Sequence, residues 1–532
     1  MSIRMKFFIM FLFCGAMVNA QQNEFFFGKV EDGATGEPVV FANIRIKNRA
    51  LGVITNIDGS FRIPMKYKDY GDILEVSSMG YQNREIAIAA FSQMELNIIL
   101  LQPSTISLQE AVVKAKDKRG KRLSAKQIVQ RAIDAIPYNY PSVSFSTIGY
   151  YRDYQFNEGA YINLNEGILN IYDQGFDQLD DKTSETLMFN FELNTDFEQD
   201  SLARTAYDYD SYKKIIKKAY LGAYGGNEFR ILRIHDAIRN YNVASYDYIG
   251  TLKNDFIENH NLFRSKDSDS DNEALYGIKF WKRHLNYRAH GEIFISQKDF
   301  AIHKLEYTMY NNRQTNKKNE KNKHGHKQKV IFDVLTEYRR INNKMYLNYI
   351  SFHNSFEVRK PPKFSVDSTL VNMPDGFYTI YFNKPVDSVS AVNPKNYDIK
   401  FNQEKFGIDK VEVYRDSVRL YGDSDFMQAM INAKGETSAL LNRKKGQEAG
   451  AMFELAVENV KDQLGNLVND PDIHEYQQFR EFFAQRIKPD SRAPFDGPFM
   501  DKKKPLFKNQ PMVRPKDYQE YWMNTPLQAI EN

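Results

Sequence analysis

Residues 52–64, GVITNIDGSFRIP, set Asp58 and Gly59 between two short runs in which apolar residues alternate with others. An aspartate beside a glycine is either a carboxylate held for metal or acid–base chemistry, or the corner of a β-hairpin whose glycine supplies a positive φ. The other candidate sets fail on spacing. His303 and Glu306 form an H-x-x-E, but the run reads as a strand, where residues three apart face opposite sides. A catalytic zinc also needs a third converging ligand, which the spacing does not supply, so His303 is expected at a surface strand position. Ser211 and Lys214 form an S-x-x-K, and Ser270-Asp271-Asn272 an S-D-N, as in penicillin-binding enzymes. The K-T-G that completes that set is missing, and the S-D-N lies inside an acidic run. Asp267, Asp269 and Asp271 alternate as in a calcium loop, without the glycine at the sixth position or the glutamate at the twelfth. His324 and His326 stand in a lysine-rich run whose ammonium groups oppose a cation. The sequence also lacks a phosphate-binding glycine loop and a G-x-S-x-G elbow. The expectation is a chain with no catalytic, cofactor-binding or metal-binding residues and no cofactor, hence not an enzyme.

The elements around these residues read as mainly β. Residues 24–102 contain short alternating strands with turn signals between them; in VVFANIRIKN, Ala42, Ile44 and Ile46 alternate with Asn43, Arg45 and Lys47. Leu96, Ile98 and Leu100 share one face of the last run. A linker follows at 103–140 and contains a helix from Ser124 to Ile136. Ser124 and Gln127 make its capping box, Ile128, Val129, Ala132 and Ile133 its apolar face, and Pro137 its stop. Residues 141–360 are rich in Tyr and Phe and read as long antiparallel strands, with a polar, basic excursion from Arg313 to Lys329. Residues 370–475 read as a further β domain and 476–532 as an extended tail.

Bulk properties limit the function. At 532 residues the chain has room for about three or four domains of roughly 100–200 residues. A hydrophobic fraction of 42% supports folded cores, and a formal charge of +4 is too small for a dedicated nucleic-acid binder. The first residues carry Arg4 and Lys6, then an apolar run from Phe7 to Val18, then Val18-Asn19-Ala20. This pattern predicts a signal peptide over 1–20 and export, the run being short of the roughly 20 residues a membrane helix needs. Cys14, the one cysteine, follows Phe13 rather than the small residue of a lipoprotein signal, so the mature chain is expected to have no thiol and no transmembrane helix.

Gly28, Val30, Asp32, Gly36, Pro38, Ala42, Asn43 and Ile44 resemble the carboxypeptidase-like regulatory domain, and Gly52, Thr55, Asp58, Gly59, Phe61, Ile63, Leu74, Ser77, Gly80 and Tyr81 continue the match. Asn56 departs from it, standing where the family has Asp. The resemblance implies a transthyretin-like β-sandwich that is an accessory module without catalytic residues, and it makes the Asp58–Gly59 pair a hairpin. LQEAVVKA, at 108–115, is similar to the segment after this domain in TonB-dependent outer-membrane receptors. The central meander resembles the half-barrel of periplasmic lipoprotein carriers, which implies a cleft lined by Tyr and Phe or a closed aromatic core. Ile380, Phe382, Pro385, Val386, Asp387, Asn393, Pro394, Asn396 and Tyr397, with Val460, Asp462, Gly465 and Asn466, resemble the bacterial Ig-like domain first described in surface-layer proteins.

Together these resemblances imply a Bacteroidota-type envelope protein in the periplasm or at the outer membrane. Its expected role is a non-enzymatic binding or assembly module for protein, glycan or lipid. The alternatives are a TonB-dependent receptor-like transport accessory and a hydrolase with an unrecognised site.

Overall fold

The computed structural model describes residues 25–104, 122–205, 214–215, 225–241, 254–315, 328–372, 375–425, 428 and 453–527, with interruptions at 50, 158–159, 271–272, 284, 286 and 402–403. Strand makes up 51% and helix 13%, so sheet packing carries the fold, and none of the sheets closes into a barrel among the described residues. The chain divides into two compact units. One contains the described residues up to 205, then 214–356 and 476–527; the other contains 357–475.

The first unit begins with a sandwich of β1 (Phe25–Asp32), β2 (Asn43–Ile46), β3 (Leu51–Ile54), β4 (Ser60–Pro64), β5 (Ile73–Ser77), β6 (Arg84–Ala87) and β7 (Asn97–Leu101). Its two sheets run β4-β1-β7 and β3-β2-β5-β6. Phe26, Val30, Ile44, Val53, Ile63 and Val76 fill the space between them, fully buried. Between β3 and β4 the chain turns at Gly59, whose φ is +79°. Asp58 Oδ1 accepts from Ser60 N at 3.0 Å and Ser60 Oγ at 2.6 Å. The pair is not the expected hairpin: β3 and β4 belong to different sheets, so it marks a tight turn that carries the chain from one sheet to the other, with Asp58 Oδ1 serving that turn.

The helix Ala125–Asn139 starts as its sequence dictates, with Ser124 and Gln127 closing a reciprocal capping box. It runs past the expected stop at Ile136: Pro137 lies inside the last turn, and Tyr140 N donates to Ile136 O at 3.1 Å. Proline has no N–H to give, but the turn is held by its neighbours.

The remaining strands are β8 (Phe145–Asn157), β9 (Ala160–Asp173), β10 (Glu185–Leu193), β11 (Lys214–Ile215), β12 (Asn261–Arg264), β13 (Ser268–Ser270), β14 (Glu273–Arg283), β15 (Tyr287–Ser296), β16 (Ile302–Thr315), β17 (Gln328–Ile341) and β18 (Lys344–Lys360). After them come β19 (Val366–Asn372), β20 (Phe377–Phe382), β21 (Tyr397–Phe401), β22 (Glu404–Phe406), β23 (Ile408–Val413), β24 (Ser417–Gly422), β25 (Phe453–Val457) and β26 (Asp472–Pro489). The central sheet has the order β10-β9-β8-β26-β18-β17-β16-β15-β14-β12, with β11 beside β18 and β13 beside β14. β17 and β18 are joined by Asn342 and Asn343, both at positive φ, as a two-residue hairpin turn requires.

The segment from 476, expected as extended tail, instead begins within a long strand. β26 is a central strand between β8 and β18, and only the residues beyond Pro489 run as irregular chain. Its charges disguised it. In QQFREFFAQR, Arg480 and Glu481 look solvent-facing, yet both are buried, on opposite faces of the sheet.

Among the described residues, no helix is long and apolar enough to cross a membrane. The second unit is built on β19-β20-β24-β23 and β22-β21-β25, around a core that includes Phe364, Ile380, Tyr397, Leu420 and Val460. Asp462 closes its final turn, accepting from Leu464 N at 3.0 Å and Asn466 N at 2.8 Å.

Candidate functional site

The sequence of β8, FSTIGYYRDYQFN, places polar residues on both faces of a strand buried on both sides. Antiparallel register sets Arg152 opposite Glu481 and Asp153 opposite Arg480 of β26. Side chains alternate across a strand, so the two pairs point to opposite faces and form two separate polar sites.

The first site lies under the N-terminal sandwich. Arg152 is 1% exposed and ion-pairs with Glu481. Its Nη1 donates to Asn56 Oδ1, at the base of the turn between β3 and β4, and reaches Asn524 O at 3.4 Å. Tyr154 OH donates to Glu481 Oε1 at 3.1 Å, and Tyr150 OH donates to Glu166. The C-terminal chain closes the site. Asn524 Oδ1 accepts from Arg62 N at 2.8 Å, while its Nδ2 donates to Ile54 O at 2.6 Å. Trp522 Nε1 donates to Arg62 O at 3.0 Å, and Gln485 Nε2 donates to Trp522 O at 2.7 Å. Arg62 belongs to the outer strand of a sandwich sheet, so these side chains satisfy backbone groups that an edge strand leaves unpaired. Further along, Phe41 packs on Tyr349 of β18 at 5.1 Å, and Arg45 donates to Asn348. The sandwich core and the sheet residues Ile148, Tyr150, Ile168 and Phe483 form one continuous apolar cluster. This fixes the sandwich on the sheet.

The second site lies on the opposite face. Asp153 accepts from Asn165 Nδ2 at 2.8 Å and from Tyr151 OH at 2.9 Å. Burial, with the Glu228 charge added, pushes its carboxyl up to about 7 despite those hydrogen bonds. Arg480, fully buried, pairs with Glu228, donates to Asn354 Oδ1 at 2.6 Å and lies over the Phe352 ring. Lys214 donates to Ala203 O at 3.0 Å, and burial lowers its ammonium to about 8 against the attraction of Glu228. Asp153, Asn165, Lys214, Glu228 and Phe507 border a cavity of about 40 Å³, room for little more than a water or two. The geometry provides buried charge compensation around a proton-accepting carboxylate.

The helix Ala125–Asn139 packs on this same face, against β12 and β15. Next to it Tyr140 meets Phe176 at 4.9 Å and Tyr338 at 5.1 Å, and its hydroxyl donates to Ile302 O at 2.7 Å. His260 stacks on Phe256 at 4.4 Å, with its Nε2 3.1 Å from Tyr307 OH. These described aromatics close on one another.

The motif residues are scattered. His303 is buried, not at the surface as expected, and faces Glu273 at 3.4 Å across the strands, while Glu306 pairs with Lys304 at 2.8 Å. Hydrogen bonds from His303, Ser296 and Arg340 outweigh burial and hold Glu273 down at about 2. Asp267 and Asp269 do not form a loop site. Asp267 pairs with Arg264 at 2.8 Å, and Asp269 is in strand β13. Ser211, Asp271, Asn272, His324 and His326 lie outside the described residues, as does most of the basic excursion. Sequence reasoning missed Arg152, Asp153, Glu228, Arg480 and Glu481, and singled out Lys214 only as part of an S-x-x-K. The available signal was a pair of aromatic-rich strands, YYRDYQF and QFREFF, each carrying an arginine next to an acid.

Comparison with known proteins locates the similarity at the N-terminus. Residues 26–113 match the CarboxypepD_reg-like domain. The TonB-dependent receptor SusC of Bacteroides thetaiotaomicron is 43% identical over 86 residues, which are 16% of this chain and 8% of the receptor. The chain therefore spans less than a tenth of that relative's length. Among solved structures, a DUF1329 family protein from Desulfovibrio piger aligns with 43% of this chain and 86% of its own, at 9% identity and a TM-score of 0.22. MucB in complex with MucA(peri) aligns with 57% of this chain and 96% of its own, at 9% identity and a TM-score of 0.16.

Proposed function

We propose that this chain is a non-enzymatic cell-envelope protein, in the periplasm or at the outer membrane, acting as a binding or assembly module beside a TonB-dependent transport system. The observation that carries the reading is the similarity of residues 26–113 to a domain of a protein named as a TonB-dependent receptor. The way that domain is mounted supports the reading. Its 52–64 turn is buried against the central sheet through Asn56 and Arg152, while Ile98 and Leu100 of β7, its opposite outer strand, and Leu96 just before it are exposed. A receptor-type domain held rigidly, with one apolar strand outward, suits contact with another envelope protein. The second unit, read as Ig-like, adds a further binding surface.

The test is photo-crosslinking in cells from position 98, carried by an unnatural phenylalanine analogue. The expected result is an adduct with an outer-membrane transporter in the envelope fraction. A chain that fractionates with the cytoplasm, or one that gives no adduct from 96, 98 or 100, would overturn the proposal.

A further inference from the structure

The outer face of β19-β20-β24-β23, in the second unit, carries aromatics where a solvated sheet face normally carries polar residues. Tyr378, Ile380 and Phe382 point into the core, which turns Phe377 and Tyr381 outward on β20. The register places Phe377 opposite Tyr421, and Tyr381 opposite Ser417. Tyr414 is 43% exposed, Tyr381 39% and Leu370 54%, so the apolar surface is open to solvent. At its centre Arg419 lies 4.8 Å from the Phe377 ring centre and 4.9 Å from that of Tyr414.

The charges on this face are unequal. Glu412 is engaged by Lys410 at 2.7 Å, by Tyr421 OH at 2.9 Å and by Tyr414 OH at 3.1 Å. The Arg419 side chain makes no hydrogen bond or ion pair with a described residue, although the register sets it opposite Glu412. Its guanidinium carbon lies close to two ring centres on a half-buried side chain, and a guanidinium can grip a carboxylate with two parallel bonds.

The geometry points to a binding platform for an acidic oligosaccharide, with Arg419 taking the carboxylate of a uronic acid and the tyrosine and phenylalanine rings stacking on sugar rings. The C–H face of a pyranose carries partial positive charge, which matches the negative face of an aromatic ring. Alternate positions on a strand lie roughly 7 Å apart, so successive sugars along a chain find successive side chains. An acidic peptide fits less well: extended peptides bind sheet edges through backbone groups, which a sheet face does not offer. An anionic membrane calls for a cluster of about 4–8 basic residues, whereas among the described residues this face has Arg419 as its one cation outside an ion pair. The inference deepens the binding role proposed above and rests on it, while placing the ligand on a different unit from the receptor-like domain.

The test is calorimetric titration of the full-length protein with a galacturonate hexamer and, separately, with maltohexaose. The wild type should bind the acidic hexamer in clear preference to the neutral one. Arg419→Gln should weaken the acidic hexamer roughly tenfold or more, the scale of a charge-assisted hydrogen-bonded pair, without moving the melting curve. Arg419→Lys keeps the charge but not the planar fork and should also bind more weakly, and Tyr414→Ala should weaken both sugars. Unchanged affinity in Arg419→Gln overturns the proposal, as does absence of binding to either hexamer. Polyglutamate or anionic phospholipid vesicles bound as tightly as the acidic hexamer would assign the face to those partners instead, which also overturns it. Loss of sugar binding with the crosslink from position 98 intact would sink this inference and leave the assembly role standing.

Discussion

Arg152 Nη1, in the middle of the central sheet, donates to Asn56 Oδ1 at the base of the Asp58–Gly59 turn of the N-terminal sandwich. Asn56 is the residue that departs from the regulatory-domain pattern, and here it meets a buried arginine already paired with Glu481. A neutral amide satisfies a guanidinium donor without adding a second buried carboxylate to the pair. The departure therefore fits the surface on which this domain sits.

The pair itself gives the first prediction. Arg152→Met leaves the Glu481 carboxylate buried and unpaired, which costs roughly 3–5 kcal/mol. Thermal unfolding of the full chain should show a large drop in the midpoint. Combining Arg152→Met with Glu481→Leu removes both charges and should restore much of the loss, less a remainder for the stranded Asn56 and Tyr154 groups. A double variant no better than the single one would argue that geometry, not uncompensated charge, sets the cost.

Asp153 gives a pH dependence of opposite sense to that of an ordinary paired acid. Its folded-state value of about 7 lies above the unfolded 3.8, so between these values the native state holds a proton that the unfolded state releases. This contribution favours the fold at low pH, declines as pH rises through the window, and is a full penalty above about 7. Asp153→Asn, which keeps an acceptor for Asn165 or Tyr151, should stabilise the protein at pH 8 and change little at pH 4. Urea unfolding of both proteins at the two pH values isolates this site from the other buried acids. Equal differences at both values would show that Asp153 stays ionised throughout.

At the turn between β3 and β4, Gly59→Val must adopt a φ near +79°, and its Cβ would lie 2.6 Å from Val30 O. The strained backbone alone costs roughly 1–3 kcal/mol, and the clash adds to it. Asp58→Asn keeps a side-chain acceptor for Ser60 and should be nearly silent. Melting curves rank the two. A functional loss from Asp58→Asn in a protein of normal stability would return the carboxylate to consideration as a chemical group.

Local signals in the sequence carried through where one element explains itself. Ser124 and Gln127 cap their helix, Gly59 turns the chain at positive φ, though between sheets rather than in a hairpin, and the Ala42–Ile44–Ile46 alternation faces the sandwich core. The candidate site was not legible for a physical reason. Arg152 and Glu481 are 329 positions apart, and each alone looks like a solvated strand residue. Only the register between β8 and β26 brings them together, and register between distant strands is set by tertiary packing. For the same reason β26 read as tail: its charges meet partners that the local sequence does not contain.

The final prediction concerns the chain that follows β26. Trp522 packs on Tyr67 of the sandwich at 5.7 Å, and Tyr521 lies 6.3 Å from Phe189 of the sheet, so this segment touches both bodies it joins. Asn524→Ala removes the partners of Arg62 N and Ile54 O. Each polar group left unsatisfied in a buried setting costs about 1–3 kcal/mol. Truncation after Pro515 removes these contacts together with the Trp522 ring, leaving the Arg152 contact and the shared apolar cluster to hold the sandwich. The sandwich should then open locally before the sheet unfolds. Limited proteolysis is expected to cut the truncated protein within residues 25–104 well before the central sheet, whereas the full chain resists at both places. Equal protection of the two proteins would show that the apolar cluster alone fixes the domain, and the C-terminal chain would then be a covering rather than a clasp.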